Sequence, residues 1–175
     1  TDVHTKLIVS YLVADRGAES AHTFMEDLSK RLTHRVQIST DGLHAYLDAV
    51  GHNFKGKVDL AQAGQAVIGN PDIDKTATSH IERLNLTVRM TDRRFTRKTN
   101  GFSKKYANHC ASVDFHVAYY NFLRVHMSLG VTPAMEAKIA DHVWTFAELI
   151  GMLEAKERAA QDAPIAKFRE LRKLV

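Results

Sequence analysis

The sequence predicts an α/β fold in which helices flank a sheet. Segments of alternating polarity, typical of strands, are interspersed with segments whose apolar residues recur every three or four positions, as in helices. The 175 residues are 45% hydrophobic, which is enough for one domain with a real core and too little for two of ordinary size. No apolar run is long enough to span a bilayer and no signal peptide begins the chain, so we expect a cytoplasmic protein without a membrane partner.

The predicted strands lie in the first half of the chain. Lys6–Val13 is almost continuously apolar, which favours a strand covered on both faces, and Asp2 would end a strand before it. Arg35–Thr40 alternates in polarity and stops at an Asp-Gly pair, so that Asp41 follows a strand end directly. A further strand, rich in Ala, Gln and Gly, is expected within residues 57–68.

The predicted helices follow from apolar spacing and from capping signals. They cover residues 17–34, 43–50, 79–95 and 104–129, a short helix from the pair Thr132-Pro133, and the chain from residue 145 to its end. We expect residues 1–140 to form one domain and residues 141–175 to form a helical C-terminal extension. The single cysteine, Cys110, excludes an internal disulfide and a Cys-rich zinc module.

The helix predicted over residues 79–95 carries one acid among bases. One stripe at helical spacing is apolar (Ile81, Leu84, Val88, Phe95), and a second is polar (Glu82, Asn85, Arg89, Arg93). A solvated charged face is the ordinary explanation for such a helix. A surface for an anion, or for a cation bound to an anion, is the alternative.

The distribution of charge favours the second explanation. Residues 1–78 hold 8 Lys/Arg and 10 Asp/Glu, residues 79–110 hold 8 and 2, and residues 111–175 hold 8 and 8. The basic excess therefore lies in one segment, which besides Arg89 and Arg93 contains Arg94, Arg97, Lys98, Lys104 and Lys105. Such a segment suits a polyanion such as nucleic acid, although a solvated basic loop would have the same composition.

Three carboxylates are candidates for a metal site: Asp2, Asp41 and Glu82. In α/β folds, ligands gather at strand ends, and the helix bearing Glu82 would bring the third acid to the other two. All-oxygen ligation suits Mg²⁺ or Mn²⁺ rather than zinc, and two such ions support phosphodiester cleavage or strand transfer. The alternative for each aspartate alone is an ordinary turn or surface residue. A zinc site among the histidines and a Ser-His-Asp hydrolase both lack the required spacing.

Four blocks of the sequence resemble the catalytic region of DDE transposases of the IS1 insertion-sequence type. They are TDVHTKLIVSYLVADR, ISTDGLHAYLDAV, TSHIERLNLTVRMTDRRFTRKTNGFSKK and YYNFLRVHMSLGVTPAM, which together extend over roughly residues 1–150. The third is a long and specific match, whereas the fourth is shared more broadly among transposases and retroviral-type integrases. In this family the first strand of the fold would precede Asp2.

The resemblance implies a ribonuclease-H-like mixed sheet flanked by helices and a catalytic triad of Asp2, Asp41 and Glu82 that binds two Mg²⁺ or Mn²⁺ ions. It implies an enzyme that cuts transposon ends and joins them to target DNA, working as a homo-oligomer near the bacterial nucleoid. Phosphates would be held by Asn85, Arg89, Arg93 and Arg94, with Arg97, Lys98, Lys104 and Lys105 extending the DNA-binding surface. The rival hypotheses are an inactive remnant that binds DNA or a transposase subunit, and a simple nuclease.

Overall fold

The computed structural model describes residues 1–76, 79–96, 98–156 and 158. The chain forms two compact units, one from Thr1 to Val117 and one from Ala118 onward. The first contains, in chain order, α1 (Ala18–Arg31), β1 (Val36–Thr40), α2 (Ala45–Phe54), β2 (Val58–Gln62), β3 (Gln65–Ile68) and α3 (Ser79–Thr91), and α4 (Tyr106–Ala118) runs to its end. Single 3-10 turns lie at Ile73–Lys75 and Arg93–Phe95. The domain boundary expected after residue 140 stays a prediction.

The sheet is mixed and has the order β1-β2-β3. β1 and β2 are parallel, with Val36 opposite Val58 and Thr40 opposite Gln62. β2 and β3 are antiparallel and are joined by a two-residue turn, Ala63-Gly64, whose φ angles of 49° and 79° match the twist of a tight hairpin. A mixed sheet flanked by helices, the general fold class that the sequence predicts, is therefore confirmed for the described residues.

The core of the first unit lies where α1 and α2 pack together against β2. Its buried members are Ala21, Met25, Ala49, Val50, Phe54, Val58 and Leu60. In α1 the apolar positions recur at helical spacing, Glu19 lies in the first turn, and Lys30 and Arg31 lie in the last turn, where each charge complements the helix dipole. The connection from β1 through α2 to the parallel strand β2 places the end of β1 beside the hairpin.

The prediction of a strand over Lys6–Val13 is wrong, because the structure has no strand in these residues. Side chains of this segment instead reach two helices: the Ser10 hydroxyl donates to Asp27 Oδ2 at 2.6 Å, and the Tyr11 hydroxyl donates to Asp114 Oδ1 at 2.8 Å. Strand-like composition describes side chains that fit a half-buried surface, but it does not supply a neighbouring strand. Asp2, expected at a strand end, lies beside a turn at residues 3–5.

Other boundaries differ from the predictions in physically simple ways. Residues 57–68 form the hairpin of β2 and β3 rather than one strand. The helix predicted over residues 79–95 ends at Thr91, because the Asp92 side chain accepts from the Arg94 amide and starts a 3-10 turn. The helix predicted over residues 104–129 is α4, followed by a π-helical turn at Tyr119–Leu123.

The second unit is helical in its described part. Its short helix α5 (Pro133–Glu136) begins as predicted, with the Thr132 hydroxyl accepting from the Met135 amide at 3.2 Å. The Trp144 amide donates to the Phe122 carbonyl at 3.1 Å, and the two rings stack with centroids 4.4 Å apart. A further helix, α6, covers residues 146–156 and buries Leu149. Among the residues described, no helix is both long and apolar enough to cross a lipid bilayer.

Candidate nucleic-acid interface

Asp41 lies directly after β1, as predicted from the sequence. The turn that follows is fixed by two hydrogen bonds: the Ala63 amide donates to the Thr40 carbonyl at 3.0 Å, and Gln62 Nε2 donates to the Leu43 carbonyl at 3.0 Å. Both bonds exist because β1 and β2 run parallel and end at the same edge of the sheet. Asp41 is exposed at this edge.

The Asp41 carboxylate acts on the first turn of α2. The pKa of Tyr46 is raised above its usual value, first by burial of the phenol and then by the negative charge of Asp41. Within the described residues, the Asp41 side chain forms no hydrogen bond and no ion pair. It is therefore an exposed carboxylate with its oxygens open to solvent and to a cation.

The Asp2 carboxylate is held by its own turn. Asp2 Oδ1 accepts from the Thr5 amide at 2.6 Å, from the Thr5 hydroxyl at 2.8 Å and from the His4 amide at 2.9 Å. Burial acts to raise the pKa of Asp2, but these hydrogen bonds outweigh it and hold the pKa below its usual range. Asp2 is thus ionised, with one oxygen already saturated by donors.

Glu82 lies in the first turn of α3, on an exposed part of the helix. The turn that holds Asp2 meets this end of α3, since Lys6 Nζ lies 3.5 Å from His80 Nδ1. This contact joins residues 74 positions apart. It links the segment that follows Asp2 to the first turn of α3, while the joint site of Asp2 and Glu82 stays a prediction.

The three acids do not form a preassembled metal site. Across residues 1–76, 79–96, 98–156 and 158, no three His, Cys, Asp or Glu side chains are gathered so that they could hold an ion. The chemistry of the donors suits Mg²⁺ or Mn²⁺, because carboxylate oxygens are their preferred ligands. Asp2 Oδ1 is engaged by donors of its own turn, whereas Asp41 is exposed, and metal binding by the three acids stays a prediction.

The predicted DNA-binding residues form an exposed basic segment. Asn85 and Arg89 lie on α3, and the other described members follow it: Arg93, Arg94, Lys98, Lys104 and Lys105. All of these residues are exposed, and none of the bases described in this segment forms an ion pair. Arg97 lies outside the described residues. Several cations that are not paired with acids lie on one stretch of chain. Such a surface attracts a polyanion more strongly than a surface whose charges are paired in salt bridges.

Two residues hold this segment in place: Asp92, which the sequence predictions do not include, and Phe95, which they assign to the apolar stripe. Asp92 accepts from the Arg94 amide and from the Ser112 hydroxyl, both at 2.9 Å. The Phe95 ring packs against His109 and His116 of α4, with ring centroids 5.4 and 6.4 Å away. An aspartate just before a basic turn is a common capping signal and would have identified Asp92. The partners of Phe95 are remote in sequence, so no local pattern predicts them.

A cleft of about 460 Å³ lies near Val9–Val13, between α1 and α4. Its acidic groups are already engaged, because Asp27 accepts from Ser10 and Arg31, and Asp114 accepts from Tyr11. Burial of the phenol, followed by the hydrogen bond to Asp114 and its negative charge, raises the pKa of Tyr11 to about 12. These contacts hold the N-terminal segment against the two helices.

Comparisons with known proteins add nothing to this description: no protein-family model, no curated protein and no solved structure matches the chain.

Proposed function

We propose that this chain is the catalytic domain of a DDE-type DNA transposase of the IS1 kind, with a ribonuclease-H-like fold, which cuts and joins DNA strands. The observation that carries the proposal is the run of exposed bases that begins on the helix of Glu82, whose described members form no ion pair. A surface of this kind binds phosphates without first breaking salt bridges. The cutting and joining of DNA strands is inferred from the resemblance of the four sequence blocks to IS1-type transposases.

In this proposal the residues divide into two groups. Arg89, Arg93 and Arg94, with Asn85, bind the DNA backbone, and Arg97, Lys98, Lys104 and Lys105 extend the contact. Asp2, Asp41 and Glu82 are the ligands of two Mg²⁺ or Mn²⁺ ions, which would activate a nucleophile and stabilise the leaving oxygen. The active form is a homo-oligomer that works on transposon ends and target DNA in the bacterial cytoplasm.

The second candidate is a DNA-binding or subunit-binding remnant without catalytic activity. It is favoured by the state of Asp2, whose Oδ1 accepts three hydrogen bonds within its own turn. Recruiting this oxygen to a metal would require breaking those bonds. The two candidates share the basic segment, so DNA binding alone does not separate them, whereas metal binding does.

Calorimetric titration of Mn²⁺ separates the two candidates. We expect binding to the wild-type chain and a clear loss in Asp41→Asn, because Asp41 is the exposed carboxylate at the sheet edge. Asp74→Asn, which removes an exposed acid from the 3-10 turn at Ile73–Lys75, is the matched control and should bind like the wild type. No binding in the wild type would support the remnant.

The catalytic assignment itself is tested with Glu82→Gln in a plasmid-nicking assay containing Mg²⁺. We expect cleavage to be abolished, while duplex binding stays within about twofold, since the substitution removes a proposed metal ligand and leaves the bases in place. Glu19→Gln, an exposed acid in the first turn of α1, should cleave like the wild type. A Glu82→Gln variant that nicks DNA at the wild-type rate would rule out the site.

A further inference from the structure

Two exposed aromatic rings lie within the basic segment. Phe102 is 60% exposed and Tyr106 is 65% exposed, which makes them the most exposed aromatic side chains among the described residues. A single exposed apolar residue is ordinary, but exposed apolar surface rimmed by polar and charged side chains can mark a place where another molecule binds. Neither ring belongs to the hydrophobic core of the unit.

The loop that carries Phe102 and leads into α4 at Tyr106 is held against the 3-10 turn of Arg93 and Arg94. Arg94 Nη1 donates to the Ser103 hydroxyl at 3.4 Å, and the Gly101 amide donates to the Thr99 hydroxyl at 3.1 Å. A Cβ atom built on Gly101 would lie 3.5 Å from Arg93 Cγ, so the backbone passes close to that side chain. These contacts place the chain on both sides of Phe102 next to the two arginines.

Tyr106 is fixed separately. Its hydroxyl donates to the carbonyl of Val13, 93 positions earlier in the chain. The hydroxyl is thereby occupied, while most of the ring stays exposed. A ring tethered at its polar end is a rigid surface, which loses little conformational entropy when another flat group stacks on it.

The charges around the rings identify the class of ligand. Arg93, Arg94, Lys98, Lys104 and Lys105 are exposed and form no ion pair within the described part of the chain. A polyanion with flat apolar faces would use both the cations and the rings. Duplex DNA hides its base faces inside the stack, whereas single-stranded DNA exposes them.

We propose that the loop from Lys98 to Tyr106 is a binding site for single-stranded DNA, in which Phe102 and Tyr106 stack on unpaired bases and the neighbouring Arg and Lys side chains hold the phosphates. The inference rests on the proposed function for its choice of DNA, and it adds that the preferred DNA is unpaired. Strands that have frayed or been cut would present such bases.

The test compares Phe102→Ala with the wild type by fluorescence anisotropy, using a labelled oligonucleotide of about 15 nucleotides and a duplex of the same sequence. We expect the variant to bind the single strand about tenfold more weakly, because stacking typically contributes 1–3 kcal/mol per base. Its affinity for the duplex should change less than twofold. Phe102→Trp, which keeps a stacking ring, should restore binding to the single strand.

Met90→Ala is the matched control, because Met90 is a 78% exposed apolar side chain on α3 in the same basic segment. It should bind both DNA forms like the wild type. An equal loss for single strand and duplex in Phe102→Ala, or no loss at all, overturns the inference. RNA of the same sequence binding more tightly than DNA would also overturn it, in favour of an RNA site.

The failure of this inference is distinct from the failure of the proposed function. If the wild-type chain binds and nicks duplex DNA, but single-strand binding does not depend on Phe102, only the single-strand site is refuted. If the wild-type chain binds neither form of DNA, both the single-strand site and the proposed function are refuted. Binding of the single strand through Phe102 without any nicking supports the inference together with the non-catalytic remnant.

Discussion

Three aspartates of the first unit differ in what holds their carboxylates, and this difference decides what each can do. Asp59 forms a bidentate pair with Arg35, at 2.6 and 2.7 Å, and accepts from the Asn70 amide at 2.8 Å. Asp2 is bound within its own turn. Asp41 has no such bonds among the described residues. Asp59 therefore has a structural role, whereas the carboxylate of Asp41 is exposed and stays a predicted cation ligand.

Acid should remove the contribution of Asp59 to folding. The hydrogen bond from Arg35, followed by that from the Asn70 amide, lowers the pKa of Asp59 to about 2. In the unfolded chain an aspartate has a pKa of about 3.9. Because the folded-state pKa is the lower one, the stabilisation is fully present above the unfolded value and is lost as the pH falls toward about 2.

Urea unfolding at pH 6 and pH 3 measures this effect. At pH 6 we expect Asp59→Asn to be less stable than the wild type, and between pH 6 and pH 3 we expect it to lose less stability than the wild type does. Asp74→Asn, which changes an exposed acid elsewhere in the unit, should follow the wild type at both values. Equal acid sensitivity in wild type and Asp59→Asn would contradict the role of the Arg35 pair.

At the scale of elements, the sequence predicts what depends on neighbours along the chain. The helix α1, the strand β1, the position of Asp41 after that strand and the Thr132 cap were all recognisable from local spacing and capping residues. The failure at Lys6–Val13 has a different origin. A strand needs a partner, and whether one is available is a property of the whole fold.

The same limit applies to the candidate site. The helical period of the sequence predicts that Glu82 and exposed bases lie on one helix. In the structure, Glu82 and Arg89 are both exposed on α3. The Lys6–His80 contact, which brings the Asp2 turn to that helix, joins distant residues and has no local signal. The Phe95 ring likewise reaches α4 through contacts that only the folded chain reveals. Whether the three acids bind a metal stays a prediction.

The cap of α5 is an element whose contribution can be measured. Thr132 is fully buried, and its hydroxyl accepts from the Met135 amide at 3.2 Å. Thr132→Val keeps the volume and removes the acceptor, so we expect a loss of about 1 kcal/mol or more in the free energy of unfolding. Loss of the cap should appear in urea or thermal unfolding.

Thr23→Val is the control for this measurement. Thr23 is exposed on α1, and its hydroxyl donates only to the Glu19 carbonyl of the preceding turn, so its substitution should change stability by less than about 0.5 kcal/mol. If the substitution at position 132 costs no more than the one at position 23, the hydroxyl of Thr132 does not stabilise the helix start.

Across the described part of the molecule, no Lys or Arg side chain of the basic segment pairs with an acid, whereas several elsewhere in the chain do. The described Lys and Arg side chains that pair with acids lie outside the basic segment; they are Lys30, Arg31, Arg35, Lys75 and Arg158. Residues 79–110, with 8 bases and 2 acids, contribute most of the positive field although the whole chain has a net charge of only +4. The distribution of charge, rather than its total, should thus control DNA binding.

Removal of one base from each region tests this directly. Arg89→Ala removes an exposed base of α3, whereas Arg16→Ala removes the same charge from an exposed position before α1. Both variants have the same net charge, so a purely global effect would weaken DNA binding equally. We expect Arg89→Ala alone to bind duplex DNA several-fold more weakly, because it loses a phosphate contact.

The salt dependence identifies the cause of that loss. Each phosphate contact adds about 0.9 to the steepness with which the logarithm of the binding constant falls with the logarithm of salt concentration. A titration between about 50 and 200 mM salt should give a slope shallower by about one unit in Arg89→Ala, and an unchanged slope in Arg16→Ala. Equal slopes and affinities in the two variants would show that Arg89 acts only through net charge. The assignment of the basic segment as the DNA interface would then be wrong.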